Sequence, residues 1–228
     1  AGMPVQGQQF AVWLLQQQNG EPVKAVWRKL VDADTPFLRI AGAAQSHRLG
    51  DRNHIAVLAK GLQELPADQR NQAINLIWNI EDERVLSAIR AWIVPGGTQD
   101  TVRQALQYLG SVEKARSEAT IAAAKSVLID ANLGAKAAAL ASLVAWGEPG
   151  HSAALAELLR ANPDLLGPIR MLLERSAKLE PVLIDALADV LKQARSKFDV
   201  TLTAALLQRS SPDKAIAALR LLLEHENQ

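Results

Sequence analysis

Apolar residues recur along this chain at helical spacing, in stretches that glycine, proline and acidic residues interrupt at regular intervals. The clearest stretch runs from Ala135 to Ala161, where two apolar segments flank the break Gly147-Glu148-Pro149-Gly150. Leu155, Leu158 and Leu159 follow the i, i+3, i+4 spacing that is typical of one face of an amphipathic helix. The pattern therefore predicts two helices joined by a short turn.

The same pattern recurs about seven times, with a period of about 32 residues. Each break contains a glycine suited to the end of one helix, or acidic, hydroxyl and proline residues suited to the start of the next. The breaks are Gly20-Glu21-Pro22, Gly50-Asp51, Glu81-Asp82, Gly110-Ser111, Gly147-Glu148-Pro149, Lys178–Pro181 and Ser211-Pro212-Asp213. One helix pair cannot bury its apolar face alone, so stacked pairs that share a core are expected.

Segments such as VRQALQYLGS and AALASLVAWGEPGHSAALAELL resemble the short HEAT-type repeat of bacteria. The tetratricopeptide and ankyrin signatures are absent from the sequence. The resemblance covers nearly the whole chain and implies an all-α fold, a right-handed α-solenoid of about seven helix pairs. We expect a loose lead-in over residues 1–7 and a single solenoid domain over residues 8–226.

The pattern also predicts approximate helix boundaries. The predicted pairs are 8–18 with 22–31, 37–49 with 52–65, 68–80 with 82–94, 98 onward with 112–129, two helices within 135–161, 164–176 with 180–194, and 199–209 with 212–225. Pro95-Gly96-Gly97 is the strongest break outside the repeat turns, either a hinge or a loop. Pro168 predicts a late start or a kink in its helix.

The predicted core takes about one apolar residue from each helix. It consists of Leu14, Val26, Ile40, Leu58, Ile77, Ile89, Leu106, Leu140, Leu155, Leu172, Leu187, Leu206 and Leu219. Trp13 and Trp27 lie among Val and Leu at helical spacing, so we interpret them as packing residues rather than as a ligand cage.

Composition narrows the choice of function. The chain has 228 residues, of which 49% are hydrophobic and 21% charged, enough for a substantial core. It has no cysteine, which excludes disulfides, thiolate catalysis and cysteine metal sites but leaves the compartment unknown. No uninterrupted apolar run approaches the roughly 18 residues of a membrane span. The start, Ala1-Gly2-Met3, resembles either a cloning remnant or a processed end, and a processed end would imply that a leader was removed.

The sequence contains no catalytic motif, and we predict no catalytic residue, cofactor or metal ion. There is no nucleophile elbow and no glycine-rich phosphate loop followed by lysine. His47, Asp51 and His54 lie around one predicted turn and would form a metal site only if that turn brings them together. The simpler interpretation is that these histidines lie on the surface near a helix end.

One ordered feature is a row of cations, one late in the second helix of most repeats, here called the cation ladder. Its members are Arg28, Lys60, Arg90, Arg160, Lys192 and Arg220. Second helices commonly line the concave face in HEAT-type solenoids, so the resemblance implies a groove that binds an acidic partner segment or a phosphate backbone. Trp92 would be a further anchor beside Arg90 if it is exposed. The competing interpretation is that these cations only complement helix dipoles.

A second basic cluster lies near the N-terminus, and we interpret it as a solvated surface with a binding patch as the alternative. It consists of Lys24, Arg28, Lys29, Arg39, Arg48 and Arg52, against Glu21, Asp32, Asp34 and Asp51.

These observations favour a non-enzymatic scaffold that binds a partner protein or peptide segment, acidic where it meets the ladder. The alternative is a nucleic-acid-binding HEAT-like protein such as a DNA-repair glycosylase, which the five tryptophans and the ladder suggest. The formal net charge of +1 disfavours nucleic acid because it provides no overall attractive field. A third alternative, with no specific motif, is a HEAT-like lyase subunit that attaches chromophores to light-harvesting proteins.

Overall fold

The computed structural model describes residues 4–18, 20–112, 117–130, 132–176, 178–192 and 197–211, together with residues 213, 214, 216, 217 and 220. The protein is all-α, and no strand occurs in these residues. The thirteen helices of the described ranges are α1 Val5–Gln16, α2 Glu21–Leu30, α3 Pro36–Arg48, α4 Ile55–Glu64, α5 Arg70–Leu76, α6 Glu83–Arg90, α7 Gln99–Ser111, α8 Glu118–Ser126, α9 Leu133–Ala145, α10 Ser152–Ala161, α11 Leu166–Leu173, α12 Pro181–Lys192 and α13 Lys197–Ser210.

Short 3-10 helices occupy Ala67–Gln69, Val127–Ile129 and Pro163–Leu165. None of the helices in the described ranges combines the length and the apolar character that a membrane crossing would need.

The chain divides into two compact units, and the boundary falls between Trp92 and Ile93. The N-terminal unit contains α1 to α6, and the C-terminal unit contains residues 93–110 and α8 to α13.

In the N-terminal unit, α3 is the central helix. It contacts α1, α2, α4 and α5, and α4 also contacts α6. Seven residues of α3 are buried, five of them glycine, alanine or serine, because a helix with neighbours on several sides needs small side chains. Gly42 shows the limit of this packing, since a Cβ there would lie 2.6 Å from the backbone nitrogen of Val31.

In the C-terminal unit, α9 holds the corresponding central place. It contacts α8, α10 and α11, while α10 contacts α12, and α13 contacts both α11 and α12. Ten of its thirteen residues are buried, and five of these ten are alanine. The core of this unit therefore forms around a helix with almost no exposed face.

The predicted turn chemistry is confirmed after α3 and α9. Gly50 and Gly147 have φ of 93° and 78°, which lie in the left-handed region that glycine adopts without a steric penalty. Asp51 N–H donates to Ser46 O at 2.9 Å, and Glu148 N–H donates to Leu143 O at 2.9 Å. These bonds satisfy helix-end carbonyls in the Schellman arrangement.

Gly110 has a different role from the one that the repeat pattern predicts. It lies inside α7, and a Cβ at this position would be 3.3 Å from Nε1 of Trp146 and 3.6 Å from Nη1 of Arg175. Glycine therefore permits a close approach of side chains here rather than a left-handed turn.

Most predicted core residues are confirmed. Ile40, Leu58, Ile77, Ile89, Leu106, Leu140, Leu155, Leu172, Leu187 and Leu206 are each at most 2% exposed. Trp27 is also buried, as expected. Leu219 lies outside the described residues.

The core prediction is wrong for three residues of the first two helices. Leu14 and Val26 are 43% and 38% exposed, and Trp13 is 53% exposed. The only buried residues of α1 are Gln8 and Val12, which lie on the opposite face of the helix from Trp13 and Leu14. Both faces of α1 carry apolar residues, so helical spacing alone does not identify the face that packs.

Pro168 lies in the first turn of α11, which starts late at Leu166 as predicted. The helix predicted over 112–129 is shorter than expected, because α8 begins at Glu118 with Ser117 as its N-cap, and the side chain of Ser117 accepts from the backbone N–H of Thr120 at 3.3 Å. The helix predicted over 212–225 lies largely outside the described residues.

Candidate functional site

Three members of the cation ladder are paired with carboxylates. Lys60 Nζ lies 3.7 Å from Glu64, and Arg160 Nε lies 3.1 Å from Asp189. Arg90 is ion-paired with Glu83, and its side chain is only 11% exposed. Each of these three cations therefore has a carboxylate within ion-pair distance, although Lys60 shares Glu64 with Arg39.

Trp92 does not meet the condition for an exposed anchor. It is 2% exposed, and its indole Nε1–H donates to Leu62 O at 3.3 Å. The guanidinium of Arg70 lies 5.5 Å from the centroid of the Trp92 ring. A large aromatic side chain with its N–H satisfied inside the unit is a packing residue, so Trp92 is removed from the candidate site.

The remaining ladder residues differ from one another. Arg28 and Arg220 are exposed, and Arg28 has no carboxylate within ion-pair distance among the described residues. Lys192 ends α12, and its side chain lies outside the described part of the chain.

The structure does not bring His47, Asp51 and His54 together as a metal site. Asp51 Oδ2 lies 3.3 Å from Nε2 of His54, and Oδ1 accepts from the backbone N–H of Asn53. Within the described ranges, no group of three or more potential ligand residues is placed to hold a metal ion.

The N-terminal basic cluster is partly neutralised. Lys24 pairs with Glu21 at 2.6 Å and Arg39 pairs with Glu64 at 2.5 Å. Arg52 is exposed and has no ion pair with any described residue. The cluster is thus a mixed surface in which a few guanidinium groups remain available.

Helix α1 carries the largest exposed aromatic surface of the N-terminal unit. Phe10, Trp13 and Leu14 are 60%, 53% and 43% exposed, and they follow i, i+3, i+4 spacing on one face. The rings of Phe10 and Trp13 stack with their centroids 5.9 Å apart. The helix has no charged residue at all. We call these three side chains the α1 surface.

A polar cavity of about 460 Å³ lies between two helix turns of the same unit, and we call it the turn cavity. The turn from α3 to α4 contributes His47, Arg52 and Ile55. The turn from α5 to α6 contributes Asn79, Glu81, Asp82 and Arg84. Only Ile55 is apolar among these residues, so the cavity suits a polar ligand.

Two of the charged groups in the turn cavity satisfy each other. Asp82 caps α6 by accepting from the backbone N–H of Arg84 at 3.0 Å, and its two oxygens accept from Arg84 Nε and Nη2 at 2.9 and 3.0 Å. These hydrogen bonds, led by the one from the Arg84 side chain, lower the pKa of Asp82. Asp82 is therefore ionised and fixed in place at neutral pH.

His47 is the least satisfied side chain of the turn cavity. Its Nδ1 is buried and has no hydrogen-bond partner. Burial lowers the pKa of His47, the positive charge of Arg52 lowers it further, and Asp82 opposes both effects. The imidazole is therefore predominantly neutral at pH 7.

Sequence reasoning did not find either the α1 surface or the turn cavity. The signal for the α1 surface is a helix with apolar residues on two faces and no charge. The turn cavity has no local signal, because its two turns are about 30 residues apart in sequence. Comparison with known protein families, curated protein sequences and solved structures finds no match to this chain.

Proposed function

We propose that the protein is a non-enzymatic scaffold that binds a partner protein, and that it is built as a right-handed α-solenoid of about seven HEAT-like helix pairs. The packing within each unit supports a stacked arrangement. First helices contact first helices, as in α1 with α3 and α9 with α11, and second helices contact second helices, as in α4 with α6 and α10 with α12. Solenoids use such stacks to present extended binding surfaces.

The observation that carries the binding proposal is the α1 surface. Burying a large apolar side chain contributes about 1.5–3 kcal/mol, and Phe10, Trp13 and Leu14 leave most of that gain unused. Aromatic side chains of this kind are enriched among the residues that dominate binding energy at interfaces. A partner that covers this face would recover the unused free energy.

The chemistry of α1 defines what the partner presents there. The helix carries no charge, so the contact is apolar and a charged partner segment gains nothing from it. The partner segment is therefore apolar where it meets α1.

The test is an affinity capture from native extract with the triple variant F10S/W13S/L14S beside the natural chain, with nuclease present. We expect one protein in stoichiometric amount with the natural chain and at least a tenfold loss with the variant, because three anchors are removed. The matched control is I129S/M171S, which changes two exposed apolar residues of the C-terminal unit. Equal capture by all three chains, or loss with the control as well, contradicts the proposal.

No specific observation in the described residues supports the DNA-repair glycosylase alternative. Lys60, Arg90 and Arg160 are paired with carboxylates, and Trp92 is buried. Duplex DNA binding that weakens steeply with added salt, and that is lost in R28E/K60E/R90E, would favour this alternative instead.

A further inference from the structure

The turn cavity contains two unpaired groups of opposite charge. Arg52 and Glu81 both line it, and neither forms an ion pair with any described residue. The nitrogen atoms of Arg52 and the carboxylate oxygens of Glu81 are more than 4.0 Å apart across the cavity that both residues line. Two opposite charges held apart in one cavity leave room for a ligand that carries both complementary charges.

The backbone of the cavity wall provides an independent observation. Asn79 has φ of 70° and is the only residue other than glycine with positive φ in the described ranges. Glycine occupies the other such positions, since it has no Cβ to be strained there. Asparagine tolerates this conformation better than most residues but retains an amide that both donates and accepts hydrogen bonds. Asn79 lines the cavity.

The imidazole of His47 adds a third polar group, whose Nδ1 lacks a partner within the protein. His47 lines the cavity, so a ligand seated there would lie against its imidazole ring.

We propose that the turn cavity binds a small dipolar ligand of the amino-acid or short-peptide type, with its carboxylate on Arg52, its ammonium group on Glu81 and a polar edge against Asn79. The volume of about 460 Å³ lies within the range of small-molecule sites, and the polar lining excludes an apolar ligand. Arg52 suits a carboxylate because its guanidinium donates two parallel hydrogen bonds. The site does not depend on the α1 surface.

The test uses glycylglycine as the probe, with acetate and methylammonium as single-charge controls. Binding to the full chain is followed by NMR, from the side-chain signals of Arg52, Asn79 and His47. We expect saturable shifts with glycylglycine and at least tenfold weaker binding of either single-charge compound. Glycine in a parallel titration establishes whether one residue is long enough to span the two charges.

The variants R52Q and E81Q are each expected to weaken glycylglycine binding about tenfold or more, since each removes a charge-assisted contact. R28Q and E157Q are the matched controls, because each changes an exposed group that does not line the cavity. N79G removes the amide but keeps a residue suited to positive φ, so it is expected to weaken binding without loss of folding stability.

The proposal is overturned if acetate binds as tightly as glycylglycine, if no probe gives saturable shifts, or if R28Q weakens binding as much as R52Q. Loss of binding in N79G accompanied by loss of stability would also count against it, because the asparagine would then serve the fold.

Discussion

Helices α1 and α9 have similar lengths and almost no charge, but their surroundings are opposite. Two of the twelve residues of α1 are buried, whereas ten of the thirteen residues of α9 are buried. Helix α9 is rich in alanine and has neighbours on several sides. Helix α1 carries Phe10 and Trp13 on a face that no described residue covers.

The difference shows that low charge and apolar composition do not by themselves decide burial. Small side chains let neighbouring helices approach α9 from several directions, which is why its Cβ atoms lie inside the core. Large aromatic side chains on a helix with a neighbour on one side remain in water.

The largest expected difference between the two helices is in the stability lost when a leucine is truncated to alanine. Leu140→Ala should destabilise the C-terminal unit by about 2–5 kcal/mol, because Leu140 is 2% exposed and its loss leaves a cavity. Leu14→Ala should change stability by less than about 0.5 kcal/mol, since Leu14 is 43% exposed. Urea unfolding followed by circular dichroism measures both. Equal losses would mean that α1 is packed as well as α9.

Substitution by leucine should give a smaller difference in the free energy of unfolding between the two helices, again with the larger loss in α9. Ala139→Leu is expected to cost about 1–3 kcal/mol, because Ala139 is fully buried and the surrounding core has no space for three more carbons. Gln6→Leu, at an exposed position of α1, should remain within about 0.5 kcal/mol of the natural chain. A neutral effect of Ala139→Leu in urea unfolding would indicate a loosely packed core around α9.

Substitutions at the N-cap positions of the two helices should change the free energy of unfolding in opposite directions. Asn132 caps α9 by accepting from the backbone N–H groups of Gly134 and Ala135 at 3.0 and 3.2 Å, so Asn132→Ala should cost about 1 kcal/mol. Pro4 precedes α1 and makes no side-chain cap, so Pro4→Asp should stabilise it by about 0.5 kcal/mol. Thermal unfolding of both variants tests the pair. A stabilising Asn132→Ala would contradict the capping geometry.

The smallest expected effect concerns pH. Neither α1 nor α9 contains a histidine or an acidic residue, so the difference between Leu140→Ala and Leu14→Ala should be the same at pH 7 and pH 5. Overall stability should nevertheless fall over this range. The pKa of His47 is lowered by burial from 6.5, so the unfolded chain binds more protons below that pH and is favoured.

His47→Gln should flatten that decrease, with His151→Gln as the control, in urea unfolding at several pH values. Asp82 affects the free energy of unfolding at lower pH. Its folded pKa lies below 3.8, so its contribution is present above that value and is lost as pH falls through the folded pKa. If the free energy of unfolding of the His47→Gln variant falls between pH 7 and 5 as much as that of the natural chain, groups other than His47 cause the decrease.

The sequence by itself determined most of the helices, several of their turns and most of the core. Helical spacing located buried residues such as Ile40, Leu106 and Leu155, and glycine located the ends of α3 and α9, because these signals act within one or two turns of the chain. The all-α fold follows from the same local information.

Only the tertiary structure decided which face of α1 is buried, which cations are neutralised and where a cavity forms. Arg160 in α10 pairs with Asp189 in α12, and the indole N–H of Trp92 donates to Leu62 O in α4. The turn cavity joins His47 to Asn79 across two separate turns. Each of these contacts joins residues about 30 positions apart, and no local signal in the sequence specifies which of them meet.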